Sequence, residues 1–253
     1  MKKLCCVVLF ALAVCSLTFA ETAAERAKAA ATVLNEIMAT PDKGIPVEIL
    51  DSAKCVAVVP SLLKGGFIVG GAYGKGVASC KTNAGWSAPA FFRVEGGSFG
   101  LQIGGQAVDY IMVIMNDQGM QNLLASKFKL GADASVAAGP VGRHAEGSTD
   151  WKMRAQVLTY SRTRGVFAGI TLNGAIIRQD QDDTRAFYGR MIPFKTLLTG
   201  QFTPMPADAA PWEQALRKYA PAAVTSAPAQ TPASKPAETA KPAQPTSADQ
   251  APQ

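Results

Sequence analysis

Histidine is nearly absent from this sequence: one residue, His144, in 253. That excludes a zinc site built on several imidazoles. It also leaves a Ser-His-Asp triad with one candidate base, in Gly142-Arg-His-Ala-Glu146, to which the sequence matches no nucleophile. Charge is scarce too, at 17% of residues against about 25% in average proteins. Hydrophobic residues nevertheless reach 48%, so the chain has the means to build a core and is not disordered as a whole. The formal charge of +6 gathers into no basic block, and neither nucleic acid nor nucleotide is an expected partner. Glycine is missing before Gly44 and after Gly200, yet twelve of the 23 glycines fall between Gly65 and Gly105. The composition therefore describes several pieces.

Residues 1–20 read as a secretory signal. Lys2 and Lys3 precede an apolar run from Leu4 to Phe19, and Thr18-Phe-Ala20 places small residues where a signal peptidase cuts. Leu12-Ala-Val-Cys15 resembles a lipobox, with Val14 larger than the usual residue before the cysteine, so lipid anchoring at Cys15 is the alternative to cleavage after Ala20. The exported chain keeps Cys55 and Cys80, an even number in an oxidising compartment. They form either a bridge closing a loop of about 25 residues, worth about 3 kcal/mol, or two buried thiols. Residues 221–253 are rich in Pro and Ala, lack aromatics and read as a disordered tail.

Residues 21–44 contain a helix, with Ala27, Ala30, Ala31, Leu34, Ile37 and Met38 at helical spacing and Pro41 ending it. Its charges balance, unlike those of a basic membrane-surface helix. Pro46 opens a short second helix. Strands are expected at Cys55–Val59, Phe67–Ala72, Gly76–Lys81, Ala90–Glu95, Phe99–Gln102 and Val108–Met115, separated by glycine-containing turns. A helix from Asp117 to Ser126 follows. Further strands are expected at Ala132–Ala138, Arg154–Ser161, Val166–Leu172 and Ala175–Arg178. Asp182 or Asp183 would cap a helix reaching Tyr188, and Pro193 would open another. Residues 201–220 end in a helix whose Trp212, Leu216 and Tyr219 share one face and dock on the domain. The fold class is α+β: a strongly twisted, mainly antiparallel sheet or barrel-like core with an N-terminal helix and a few short packed helices.

The glycines of Gly65–Gly76 do not make a phosphate loop. Gly74-Lys75 is followed by Gly76 rather than Ser or Thr, and Val69 stands at the upstream glycine position. They read instead as bulges and close backbone approaches. Asp180-Gln-Asp-Asp183 lacks the turning glycine and closing Glu of a calcium loop and reads as a helix cap. Asp109, alone in an apolar run, reads as a paired or edge-exposed carboxylate.

Several strings occur together in order: Ala53-Lys-Cys-Val-Ala-Val-Val-Pro60, Lys64-Gly-Gly-Phe67, Gly74-Lys-Gly76, Trp86-Ser-Ala-Pro-Ala90, Gly97-Ser-Phe-Gly100 and Gln102-Ile-Gly-Gly-Gln106. Ala137-Ala-Gly-Pro-Val-Gly-Arg143, Tyr160-Ser-Arg162, Gly165-Val-Phe-Ala-Gly169 and Ala186-Phe-Tyr-Gly189 continue them. This ordered set resembles the SYLF domain family across residues 45–200. The resemblance implies binding rather than catalysis, with no cofactor or metal. Eukaryotic members join the domain to SH3 or FYVE domains, bind phosphoinositides and other anionic lipids, and in some cases bind actin. Bacterial members are exported, stand-alone proteins described as lipid-binding.

The expected function is thus a non-enzymatic protein of a bacterial envelope, in the periplasm or on the outer membrane, that binds anionic phospholipid head groups. An envelope protein or cell-wall polymer is the alternative partner. Candidate contacts are Leu62, Leu63, Lys64 and Phe67 in a turn, then Lys75, Lys127 and Lys129 around Phe128, and Arg143, Arg162 and Arg164.

Overall fold

A computed structural model describes residues 21–40, 44–141, 155–163, 166–168 and 172–221, the side chains of 66–70, 97–105, 163 and 166–168 excepted. Helix α1 (Ala23–Met38) starts at Thr22, whose hydroxyl accepts from the Glu25 N–H while the Glu25 carboxylate accepts from the Thr22 N–H. This reciprocal cap satisfies two otherwise orphaned donors. Its alanine stripe is buried as the spacing predicts. A short α2 (Val47–Ser52) follows Pro46.

The six strands expected between Cys55 and Met115 are two. Strand β1 (Cys55–Thr82) pairs antiparallel with β3 (Ala90–Ile114), in a register running from Cys55↔Ile114 to Ala78↔Ala90. The glycines lie inside these strands, where they permit sharp bending without ending the ladder. Register shifts occur between Val59 and Leu62 and between Gly66 and Ile68. Ser61, at the first shift, has a φ of 51°.

Bending brings β1 back onto itself. The Lys81 N–H donates to the Lys54 carbonyl at 2.8 Å, and Cys55 and Cys80 are joined by a disulfide. Gly76 sits at the crossing: a Cβ there would lie 2.5 Å from the Val58 carbonyl oxygen and 2.6 Å from Phe92 Cζ. Only glycine fits that approach.

Strand β2 (Gly85–Trp86) pairs with the end of β1. Helix α3 (Asp117–Leu124) follows β3. Then come β4 (Lys127–Lys129), β5 (Val136–Ala138), β6 (Val157–Thr163), β7 (Val166–Ala168) and β8 (Ile176–Gln179). β6 pairs with residues 109–114 of β3 and β8 with residues 92–95. β4 joins β8, β7 joins β6, and β5 runs parallel to β6. The result is a strongly curled, mainly antiparallel sheet with one parallel pair, in an α+β fold. Several expected bounds shift. Residues 127–129 form a strand, the strand expected from Arg154 starts at Val157, and that expected from Ala132 starts at Val136 after a Leu130–Ala134 bridge.

Around residues 55–59, 90–92 and 110–114 both faces of the sheet are buried, which is why these stretches read as near-continuous apolar runs. Val56, Val58, Phe91, Ile111 and Tyr160 face α1, α2 and α6 (Ala210–Tyr219). Ala57, Val59, Phe92, Val94, Tyr110 and Met112 fill the concave side with Phe128, Ile177 and residues of α5 (Phe194–Leu198). Trp212 of α6 is buried, and its indole N–H donates to Ser79 Oγ at 2.9 Å. The N-cap of α4 (Gln181–Tyr188) is Asp180 rather than Asp182 or Asp183, because Asp180 Oδ1 accepts from both of their N–H groups. Asp183 instead turns inward.

Candidate functional site

The sheet leaves one stretch of the long hairpin without a third strand. β8 reaches Glu95 and β6 reaches Asp109, so residues 96–108 of β3 pair with β1 alone among the described residues. On this ribbon Leu63 is 58% and Tyr73 47% exposed. With Ala72 and Ala107 they wall a shallow, mainly apolar groove of about 500 Å³, flanked by Lys64 and Gln106. Lys64 is half-buried here, and burial pulls its ammonium below the ordinary lysine value.

Alternation along β1 separates the neighbouring candidates. Leu62 is fully buried against the crossing point, where a Cβ on Gly74 would lie 2.8 Å from its Cδ1, so it is not available to an external surface. The Phe67 side chain lies outside the described residues, as do Arg143, Arg164 and His144.

Two candidate cations are held internally. Lys75 Nζ lies 2.9 Å from Asp180 Oδ2 and 3.0 Å from Asp183 Oδ1. Burial alone would lower its ammonium, but the two carboxylates outweigh that and raise it. Asp183 also receives Arg26 Nη1 from α1, which makes a buried cluster of two cations and two anions. Arg162 donates through Nε and Nη2 to Asp109 Oδ2 at 3.0 and 2.7 Å and pairs with Glu36 of α1 through Nη1. Asp109 in turn accepts from the Ser61 N–H at 3.0 Å, so it is a paired carboxylate at the β-bulge. Both clusters bolt α1 to the sheet. That helix is a packed structural element, matching its balanced charge.

Lys127 and Lys129 are exposed on β4, with Phe128 between them pointing into the core. Register places Lys127 opposite Arg178, and Arg178 opposite Arg93. Neither arginine, nor Tyr73, stood out in the sequence. The alternation Phe92-Arg-Val-Glu95 was the available signal, but it does not say which strand becomes the neighbour. Among the described residues no three His, Cys, Asp or Glu side chains gather as metal ligands.

A protein-family model described as Ysc84, Las17-binding protein actin regulator, matches residues 95–219, from β3 to the last residue of α6. The human and mouse proteins named SH3 domain-containing YSC84-like protein 1 are each 34% identical over 190 residues, covering 72% of this chain and 55% of the relative. LAS seventeen-binding protein 3 of Saccharomyces cerevisiae is 33% identical over 172 residues, 66% of this chain and 37% of its own length. The chain thus spans about half the length of the mammalian relatives, and less of the yeast one.

Proposed function

Because the chain carries a Ysc84/SYLF-family domain, we propose that it is a non-enzymatic binding protein whose ribbon groove docks on an anionic phospholipid surface in a bacterial cell envelope. The observation that carries this reading is the exposed pair Leu63 and Tyr73 beside Lys64, on a ribbon whose residues 96–108 pair with β1 alone among the described residues. Apolar side chains enter the head-group boundary while the lysine meets lipid phosphate, each basic group contributing about 1 kcal/mol. Single contributions of that size hold no protein at a membrane, so several groups act together. The signal-like residues 1–20 and the disulfide, a bond that persists in oxidising compartments, support placement outside the cytoplasm.

Liposome co-sedimentation tests the reading. Binding to anionic but not neutral vesicles is expected, weakened by salt, by Lys64→Glu and by Leu63→Asp. Equal indifference to both vesicle types sinks it.

A protein partner is the second reading. The yeast relative's name states binding to Las17, and the edge of β3 at residues 96–108, which no described strand pairs beyond β1, has the backbone groups needed to add a partner strand. Retention of a partner by the Lys64→Glu variant, with no vesicle binding by the wild type, favours it.

A further inference from the structure

Four adjacent strands align their basic residues in one row. Lys127 on β4 lies opposite Arg178 on β8, Arg178 opposite Arg93 on β3, and Arg93 opposite Lys75 on β1. Directly opposed residues share a face of the sheet, and neighbouring strands lie about 4.8 Å apart, so Lys127 to Arg93 spans about 10 Å. The row two residues away on the same face holds Lys129, Ile176, Glu95 and Tyr73. Like charges placed directly opposite are destabilising, so this arrangement costs stability unless something negative covers it.

Among the described residues, little negative charge is left to do so. Lys75 is already matched by Asp180 and Asp183. Among the described residues, the remaining four cations, Lys127, Lys129, Arg93 and Arg178, share the carboxylate of Glu95, with Arg93 also within reach of the Asp180 charge. The Glu95 carboxylate is divided: Oε1 lies 3.0 Å from Arg93 Nε and Oε2 3.9 Å from Arg178 Nη2. The first contact is an ion pair without hydrogen-bond alignment, and neither arginine's Nε has a hydrogen-bond partner among the described residues. The Asp133 carboxylate, next along the chain, takes the Lys129 backbone N–H. Both guanidiniums remain reachable, with side chains 30% and 39% exposed.

We propose that this face is a phosphate subsite for lipid head groups, in which a phosphate bridges Arg93 and Arg178 and draws in Lys127, displacing Glu95 from its divided contact. Planar guanidiniums present paired donors that match phosphate oxygens. Tyr73 selects the lipid as the source of that phosphate, because it ends the second row and also walls the apolar groove. One molecule lying on this side therefore meets apolar and cationic surface together. The inference rests on the membrane reading and adds to it the residues that hold the head group and the carboxylate that opposes it.

The test is co-sedimentation of the full chain with phosphatidylcholine vesicles containing phosphatidylglycerol, alongside an NMR titration with inorganic pyrophosphate. Arg93→Gln, Arg178→Gln and Lys127→Gln are each expected to weaken vesicle binding about fivefold and to flatten its salt dependence. Glu95→Gln is expected to strengthen binding. Thermal melting confirms that each variant is folded. If the Arg93→Gln/Arg178→Gln double variant binds like the wild type while Leu63→Asp abolishes binding, the subsite is overturned and the membrane reading survives. If the wild type ignores vesicles, the membrane reading fails, and the lipid assignment with it. Pyrophosphate shifts at this face in such a protein, lost in Arg93→Gln, would reassign it to soluble phosphate.

Discussion

Cys55 and Cys80 belong to one strand, 25 residues apart in sequence, and are bonded to each other. A bridge within a single strand requires that the strand turn fully back, and here it fastens the base of the curl. Closing a loop of this length stabilises by about 3 kcal/mol through the unfolded state. Urea denaturation with and without reductant is expected to show that loss, reproduced by Cys55→Ser/Cys80→Ser. An unchanged midpoint would mean the curl holds without its fastening.

Arg26 and Asp183 form the second fastening, between α1 and α4. Both are buried, at 3% and 9% exposure. Removing Arg26 leaves Asp183 with Lys75 as its remaining cation, so the loss is expected to stay below that of a buried charge left wholly unpaired, about 3–5 kcal/mol. Arg26→Ala is therefore expected to lower the midpoint, and Arg26→Met with Asp183→Leu to recover much of it. Denaturation of the single and double variants checks this.

The same cluster predicts an acid limb. Burial raises the Asp180 carboxyl, but Lys75, the Asp183 N–H and the Arg93 charge outweigh it and hold the group below its ordinary 3.8. In the window from 3.8 down to that lower value, the unfolded chain binds more protons than the folded one. Stability therefore falls as pH falls through it. Asp180→Asn is expected to flatten this limb while lowering stability at neutral pH. Denaturation midpoints between pH 2.5 and 6 test it.

Gly76→Ala places a methyl against the Val58 carbonyl and the Phe92 ring. Neither is the tip of a flexible side chain, and overpacking of this kind costs about 1–3 kcal/mol. The thermal midpoint is expected to fall, whereas Gly71→Ala, with only the Gly96 carbonyl oxygen at 3.6 Å, is expected to change little.

Local signals carried much of this fold into view. The alanine stripe of α1, the Pro46 start and the alternating runs of Cys55–Val59 and Ala90–Glu95 were legible because helical and strand periods are written in short windows. Strand number was not. The glycines that look like turns are the bends of two long strands, a distinction that depends on β3 pairing with β1 throughout. At the candidate site, Leu63 and Lys64 were legible as apolar and basic neighbours. Leu62 was misplaced because its direction depends on the register shift at Val59 and Leu62. Arg162 and Lys75 looked like surface cations because Asp109, Glu36, Asp180 and Asp183 lie far from them along the chain. Arg93 and Arg178 became neighbours only through strand pairing.

The ribbon between Glu95 and Asp109 has a consequence for how such proteins diversify. Its register answers to its own two strands, while the disulfide and ion pairs that hold the frame lie elsewhere. Because side chains alternate with a period of two, inserting two residues into each strand would lengthen the arm while preserving every inward and outward assignment. Length and composition of the ribbon are thus open to adjustment in matched pairs of residues, at little expense to the rest of the molecule.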